Sequence, residues 1–322
     1  ITRRIMDAAA DDVFILFSCS PQTNTTIMIV SIIIPIHNRL EVTKIGLNSL
    51  TESLDGNDRN PFNLHYEIVI VDDGSTDGSA QWISDNYPSI HLITGDGSLW
   101  WTGSVNRGVK YAVDTLDADY VLLWNDDVIT DKEYFTILSD FLVQMHPVNY
   151  ILGSRVCYES DKDRIWSVGG YFSKWTGEKF TIRNVKETKG ILDCHWQPGM
   201  GTLVPKYIML EKGIWWDEKR YPQYYGDSDF TLKCLEKGIQ IKTNLELVIY
   251  NRTEYTGDRD NASFIDFVVS LFSIRSFYEI KRNLMFYTQH GVVPFVYYGM
   301  VKKYVYYFFK LFKSNRPHNK AS

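Results

Sequence analysis

Three apolar runs in the first half of the chain each end on adjacent polar residues, and that repetition limits the fold more than any other feature. Residues 29–36 run to His37-Asn38, residues 67–71 to Asp72-Asp73, and residues 120–124 to Asn125-Asp126-Asp127. The first run is continuous and rich in β-branched side chains, which suits a strand covered on both faces. Between the runs, 41–54, 77–86, 102–116 and 132–145 carry helical apolar spacing, and 90–93 reads as a further short strand. Strands alternating with helices imply βαβ crossovers and a mainly parallel sheet. Ligands on such sheets bind beyond the carboxyl ends of the strands, where the polar residues are gathered.

The acids at those ends suggest specific chemistry. Asp126 and Asp127 are adjacent carboxylates delivered by an apolar strand. A hard cation such as Mg²⁺ or Mn²⁺, shared with a substrate pyrophosphate, would relieve their repulsion. The competing reading is a cap for the helix at 132–145. Asp72 and Asp73 open the segment Asp72-Asp73-Gly74-Ser75-Thr76-Asp77. A carboxylate there can accept from a base N–H or a ribose hydroxyl. Equally, Thr76 or Asp77 can cap the next helix in a turn that binds nothing.

Beyond about residue 151 the pattern becomes irregular, with turns and single strands. The stretches 196–204 and 215–230 are dense in Gly, Trp, Tyr and acid, and this half is expected to cover the sheet and build the acceptor side. Gln197 to Gly201 is either a turn passing close under a bound sugar or an ordinary bulge. Trp215-Trp216 either stacks on an acceptor or packs in the core. His195 reads as structural.

Five ordered motifs resemble the family 2 glycosyltransferases of GT-A fold: VSIIIPIHNR at 30–39, the strand ending in Asp72-Asp73, GDGSLWWTGSVNRG at 95–108, Asn125-Asp126-Asp127, and YYGDSDF at 224–230. The third is similar to the corresponding segment of bacterial cell-surface polysaccharide members. The match covers roughly 29–257. It implies an α/β domain with a Rossmann-like nucleotide-binding sheet and a nucleoside-diphosphate sugar donor. By position, Asp73 or Asp72 would contact the nucleobase in a pocket lined by Pro35 and His37. Asp96 would lie near the nucleotide, and Trp101 and Asn106 near the donor sugar. Asp127 would be the main metal ligand, Asp126 would touch ribose or metal, and Asp227 would be the catalytic base. Two departures stand out. Gly226 precedes Asp227 where the family often has Glu, and Tyr250-Asn251-Arg252-Thr253 lacks the histidine expected after the last core strand.

A net charge of −5 argues against a nucleic-acid partner. Aromatic residues make up 15% of the chain, which suits either sugar stacking or an aromatic core and tail. The four Cys show no metal spacing and read as reduced thiols of a cytoplasmic protein. No apolar run reaches the roughly 18–20 residues of a membrane span, and no signal peptide is evident. Residues 300–322 hold six Lys or Arg and no acid, interleaved with aromatics. That composition suits peripheral contact with the inner membrane face; a docked or dimerising helix would share it.

The expected organisation is therefore a poorly ordered extension over 1–26, a glycosyltransferase domain over 27–262, and a helical basic and aromatic tail over 263–322. The domain would divide into a nucleotide-sugar half (27–150) and an acceptor half (151–262). Transfer with inversion to a lipid-linked or polysaccharide acceptor is the leading expectation. A nucleotidyltransferase and a non-catalytic sugar-binding relative are the alternatives. The first lacks its Gly-rich phosphate loop after the first strand, and the second is hard to reconcile with intact Asp126, Asp127 and Asp227.

Overall fold

The computed structural model describes residues 27–56, 64–252 and 264–314, with side chains for all of these except 264 and 310–314. The extension over 1–26, Cys19 and Thr253 lie outside the described residues. The first half runs β1 (Met28–Ile36), α1 (Leu40–Asp55), β2 (Leu64–Asp72), α2 (Ser79–Asn86), β3 (His91–Thr94), α3 (Trp100–Asp114), β4 (Tyr120–Leu123), β5 (Val128–Thr130) and α4 (Tyr134–Met145). There follow β6 (Ile151–Tyr158), β7 (Asp161–Ser167), β8 (Gly170–Phe172), β9 (Lys179–Thr181), β10 (Ile191–Cys194), β11 (Thr202–Pro205), α5 (Tyr207–Leu210), α6 (Gly226–Glu236) and β12 (Ile241–Asn251). Helices α7 (Phe264–Ser270), α8 (Ile280–His290) and α9 (Tyr297–Ser314) complete the chain as described.

The main sheet is ordered β10-β12-β6-β11-β4-β1-β2-β3, with β5 on β12 and β7 on β6. Following the pairings, β3, β2, β1, β4, β6 and β12 all run the same way, while β11 and β10 run against them. The expected mainly parallel α/β sheet is present. The apolar run of β1 has a direct cause. Val30, Ile32, Ile34 and Ile36 belong to the core on one face of the sheet and Ile33 to the core on the other. Every position from Val30 to Ile34 is thus excluded from water, and period-two polarity is lost.

The part beyond residue 151 contains more regular strand than its sequence suggests. The longest strand, β12, spans 11 residues there. Its side chains alternate between buried and half-buried over most of its length, so Lys242, Glu246 and Tyr250 interrupt the apolar signal. A register shift between Asn244 and Val248 breaks the pattern further.

The tail, as described, is three helices. Helix α8 packs Phe286 against Tyr225 and Phe172. The His290 side chain, fully buried, sets Nε2 3.0 Å from Asp229 Oδ1 and Nδ1 3.3 Å from Glu236 Oε1 on α6. On α9, Lys303 and Tyr307 face inward. Lys303 Nζ donates to Tyr225 Oη, Asn283 Oδ1 and the Phe277 carbonyl. Tyr307 is buried and stacked on Tyr278, with ring centroids 3.3 Å apart. A partly apolar helix gains more by burying one stripe on the domain than by standing free. Among the described residues no helix is long and apolar enough to cross a membrane. Cys157, Cys194 and Cys234 are free and buried, and burial pushes the Cys194 thiol up to about 11, so they are unreactive packing residues.

Candidate active site

Strand β4 delivers Asn125-Asp126-Asp127 to the sheet edge, and α1 closes over it. Asp126 and Asp127 are only 5% and 4% exposed. Arg39, just before α1, spans them: Nη1 lies 3.0 Å from Asp126 Oδ1 and Nη2 3.0 Å from Asp127 Oδ2. One turn on, Thr43 Oγ1 donates to Asp126 Oδ2 at 3.2 Å. Gly46 follows because a Cβ there would meet the Asp126 carbonyl oxygen at 2.1 Å. Burial pushes the Asp126 carboxyl above the usual range; Arg39 pulls it back, and the Asp127 charge pushes it up again. One guanidinium for two carboxylates leaves the pair short of positive charge. Asp127 Oδ1 is buried with no hydrogen-bond partner among the described residues. An orphaned hard oxygen beside a second carboxylate fits a divalent cation.

Among the described residues no three His, Cys, Asp or Glu side chains converge to hold a metal. Where a histidine would be expected, β12 ends on Asn251, register partner of Val128. Its side-chain Oδ1 and Nδ2 are both buried and unpartnered.

The ends of β1, β2 and β3 form an interlocked set of loops. His37 Nδ1 donates to the Asp73 carbonyl at 2.6 Å, and Asn38 Nδ2 donates to His37 Nε2. Pro35 pairs in register with Val71, immediately beneath. Asp72 Oδ1 accepts from the Ser75 amide. Asp73 accepts from the Gly97 amide through Oδ1 and the Trp100 amide through Oδ2, both at 2.9 Å. The carboxylates expected to meet a nucleobase thus hold their own loops, and their remaining lone pairs are what a ligand could use. Asp96 is exposed and bonded only to Ser98 among the described residues. Asp77 caps two helices: Oδ2 accepts from Leu40 of α1 and Oδ1 from Ser79 of α2. Gly95 is required, since a Cβ would lie 2.6 Å from Asp73 Oδ1.

Trp101 links this region to Asp227. Its Nε1 donates to Asn125 Oδ1 at 3.1 Å, and its ring packs so closely on Gly199 that a Cβ there would meet it at 2.1 Å. The Gly199 amide donates to Asp227 Oδ2 at 3.2 Å. Asp227 Oδ1 accepts from the Ser228 amide at 2.6 Å and Ser228 Oγ at 3.1 Å. Asp227 lies in the first turn of α6, where the helix dipole favours a carboxylate. Two aromatic residues flank the site in the left-handed region, Trp100 at φ 58° and Tyr225 at φ 71°. Such strain costs on the order of 1–3 kcal/mol per residue and clusters at functional sites. Tyr225 is held there by Asn283 and Lys303 from the tail.

Not every expected residue joins this group. Asn106 Nδ2 donates to the Trp216 carbonyl and Glu218 Oε2. It lines a cleft of about 510 Å³ with Trp215, Lys212 and Lys233, which contains none of Asp126, Asp127 and Asp227. Trp216 is buried and stacked on Phe230 at 3.8 Å, a core role. Sequence reasoning assigned no role to Arg39, Thr43, Asn125 or Lys179. The first two are signalled by the spacing Arg39, Thr43, Gly46, which places them on one side of α1. Lys179 sits on a three-residue strand with no periodicity to mark it.

The chain is similar to known glycosyltransferases over part of its length. A hexosyltransferase of low-salt glycan biosynthesis, Agl10 of Haloferax volcanii, is 36% identical over 67 residues, 21% of this chain and 21% of that protein. The abequosyltransferase RfbV of Salmonella typhimurium is 31% identical over 124 residues, 36% of this chain and 33% of that protein. The chain therefore matches only a fifth to a third of the length of these curated relatives. A crystal structure of S. aureus TarS 1-349 in complex with UDP superposes with a TM-score of 0.50 at 19% identity, covering 77% of this chain and 65% of that one. A longer TarS structure gives 0.54 at 16%, covering 92% and 56%. At such identity the likeness establishes the GT-A fold alone. The model of glycosyl transferase family 2 matches residues 31–202, more than half of the 322 residues, and the chain belongs to that family.

Proposed function

We propose that the protein transfers a sugar from a nucleoside-diphosphate sugar to a glycan or lipid-linked glycan acceptor, with inversion at the anomeric carbon. The observation that carries the reading is Trp101, which touches Asn125 beside the buried acid pair on one side and packs on Gly199 beside Asp227 on the other. A sugar lying along that indole would have its diphosphate toward Asp127 and its opposite face toward Asp227. The loops at Pro35, His37, Asp72, Asp73 and Asp96 would take the nucleotide. TarS, which shares the fold, has been crystallised with UDP and with UDP-GlcNAc.

Asp227 would take the acceptor hydroxyl proton as the new C1–O bond forms and the bond from C1 to the diphosphate oxygen breaks. Attack from the base side, opposite the leaving group, inverts the centre. Asp127 and Asp126 would hold Mg²⁺ or Mn²⁺, which when bound offsets the charge growing on the diphosphate. Arg39 keeps the two carboxylates from repelling one another and fixes their orientation.

Peripheral attachment to the cytoplasmic membrane face rests on the outward sides of α7 and α9. Ile265, Val268, Val269 and Phe272 form one exposed apolar stripe, and Tyr298, Val301, Val305 and Phe309 form another. Phe267 and Tyr307 pack the two helices together behind them.

The test is donor turnover with and without acceptor, in Mn²⁺ and in EDTA. Acceptor-stimulated release of nucleoside diphosphate, lost in EDTA, supports the proposal. Release or consumption of pyrophosphate would indicate a nucleotidyltransferase instead. Donor binding without turnover would indicate a non-catalytic relative.

A further inference from the structure

Facing α6 from β9 is a cation that the reaction described above does not use. Lys179 is a half-buried residue whose ammonium group lies within the protein. Its Nζ donates to Ser228 Oγ at 2.6 Å, and Ser228 Oγ donates to Asp227 Oδ1 at 3.1 Å. The same ammonium lies over the Trp196 ring, 3.8 Å from the centroid, and 5.7 Å from that of Tyr225. Among the described residues it makes no direct ion pair. Glu178, its neighbour in sequence, is engaged by Lys302, and Lys303 by Tyr225 Oη and Asn283. The Asp227 carboxylate, with Ser228 between them, favours the charged form of Lys179. Burial keeps the Tyr225 phenol well above its usual range, so it stays neutral.

Resting on the reading of Asp227 as base, we infer that Lys179 is a positioning residue: through Ser228 it fixes Asp227 so that Oδ2 is the oxygen presented to the acceptor hydroxyl. Oδ1 already accepts from the Ser228 amide and the Ser228 hydroxyl. Among the described residues Oδ2 has only the longer bond from Gly199, which leaves a lone pair for a ligand. In donating to Ser228 Oγ, the ammonium turns the hydroxyl proton toward Oδ1. A neutral amine could accept that proton instead, and Asp227 would then lose one of its two anchors on Oδ1. Burial lowers the Lys179 pKa to about 8, with the Asp227 charge opposing, so that change of state falls within the accessible pH range. The cation–π contacts with Trp196 and Tyr225 also favour the charged form.

The experiment is steady-state transfer by the full chain with wild type, Lys179→Met, Lys179→Arg, Ser228→Ala and Asp227→Asn, from about pH 6 to about pH 10. Wild-type turnover should fall above about pH 8, where the ammonium loses its proton. Lys179→Met should lower kcat by on the order of tenfold to hundredfold with donor KM unchanged, and that alkaline limb should disappear. Lys179→Arg should restore most of kcat and move the limb to higher pH, which a purely structural tie between β9 and α6 would not do. Ser228→Ala should lower kcat with the limb lost as well. Wild-type kcat in Lys179→Met, or a limb that Lys179→Arg leaves in place, overturns the inference. If Lys179→Met does not fold, the limb in Lys179→Arg and Ser228→Ala decides alone. An Asp227→Asn enzyme with near-normal turnover sinks the base reading itself; a dead Asp227→Asn beside a normal Lys179→Met sinks only the role of Lys179.

Discussion

The Asp126–Asp127 pair and Asp227, the acids of the proposed site, are held in opposite ways. The pair is almost wholly buried and tied to a guanidinium and a hydroxyl from α1, an element directly following the first strand. Asp227 is half-buried and tied to main-chain amides and one hydroxyl, with no direct ion pair among the described residues. Two carboxylates with one counter-charge remain able to take a cation. A carboxylate held by neutral donors keeps a lone pair for a ligand hydroxyl. The supports differ in range too. The pair depends on residues of the first 130, whereas the turn that starts α6 depends on Asn283 and Lys303 of the tail, some 60 to 80 positions further along.

The most severe test of this contrast removes one acid from each place. Asp127→Ala is expected to abolish Mn²⁺-dependent donor binding in titration calorimetry, because Arg39 then neutralises Asp126 and nothing draws the cation. Unchanged heats would break the assignment. Asp227→Asn should leave that binding intact while lowering turnover by on the order of 10²–10⁴-fold. Equal loss of binding in both variants would mean that the two acids form a single ligand set, and the contrast would fail.

Smaller effects probe the supports. Gly46→Ala pushes a methyl group against the Asp126 carbonyl, so α1 must move away. A cost of about 1–3 kcal/mol is expected for such overpacking, read as a lower denaturant midpoint, together with weaker Mn²⁺ binding. Lys303→Met removes the donor to Tyr225 Oη and leaves Asn283 Oδ1 with the Tyr225 hydroxyl alone. It should lower stability by about 1–3 kcal/mol. It should also reduce kcat but spare donor binding, since only α6 is loosened. If Lys303→Met instead weakened donor binding as much as Gly46→Ala, the supports would not be separate.

The two regions also differed in how far the sequence could be read. Unbroken runs such as Val30 to Ile34 exist because both sheet faces are covered, so β1 and the acids at its neighbours' ends are visible in one dimension. The coupling of Arg39 to Asp126 and Asp127 is partly visible, through a glycine two turns along α1. The setting of Asp227 is not. Ser228, Gly199, Lys179 and Asn283 come from four separate segments, and no local period connects them. Strand β12 was hidden because its half-buried positions carry Lys and Glu. On α9 composition was legible but direction was not: a helix of alternating Lys and Tyr reads as interfacial on every side until something covers one of them.

That two-sidedness of α9 gives the last and smallest expected effect. Its inner side packs on the domain, Lys303 on Tyr225 at the start of α6 and Tyr307 on Tyr278. Its outer side, with Tyr298, Val301, Val305 and Phe309, is exposed, and α7 adds Ile265 and Val269. Six Lys or Arg and no acid occupy 300–322, each worth roughly 1 kcal/mol near an anionic surface. Lys302 is already paired with Glu178 and Lys303 is turned inward, so the attraction is smaller than that count suggests. Attachment should therefore be reversible and weakened by salt. Cutting the chain at residue 290 would remove the inner side as well and confuse the two roles. The cleaner variant is Val301→Glu with Val305→Glu, compared with wild type by co-sedimentation on vesicles rich in anionic lipid. The expected result is a several-fold smaller bound fraction, with the melting temperature near that of wild type, since both positions face water. An undiminished bound fraction would leave α9 with a supporting role for Asp227 and none at a membrane.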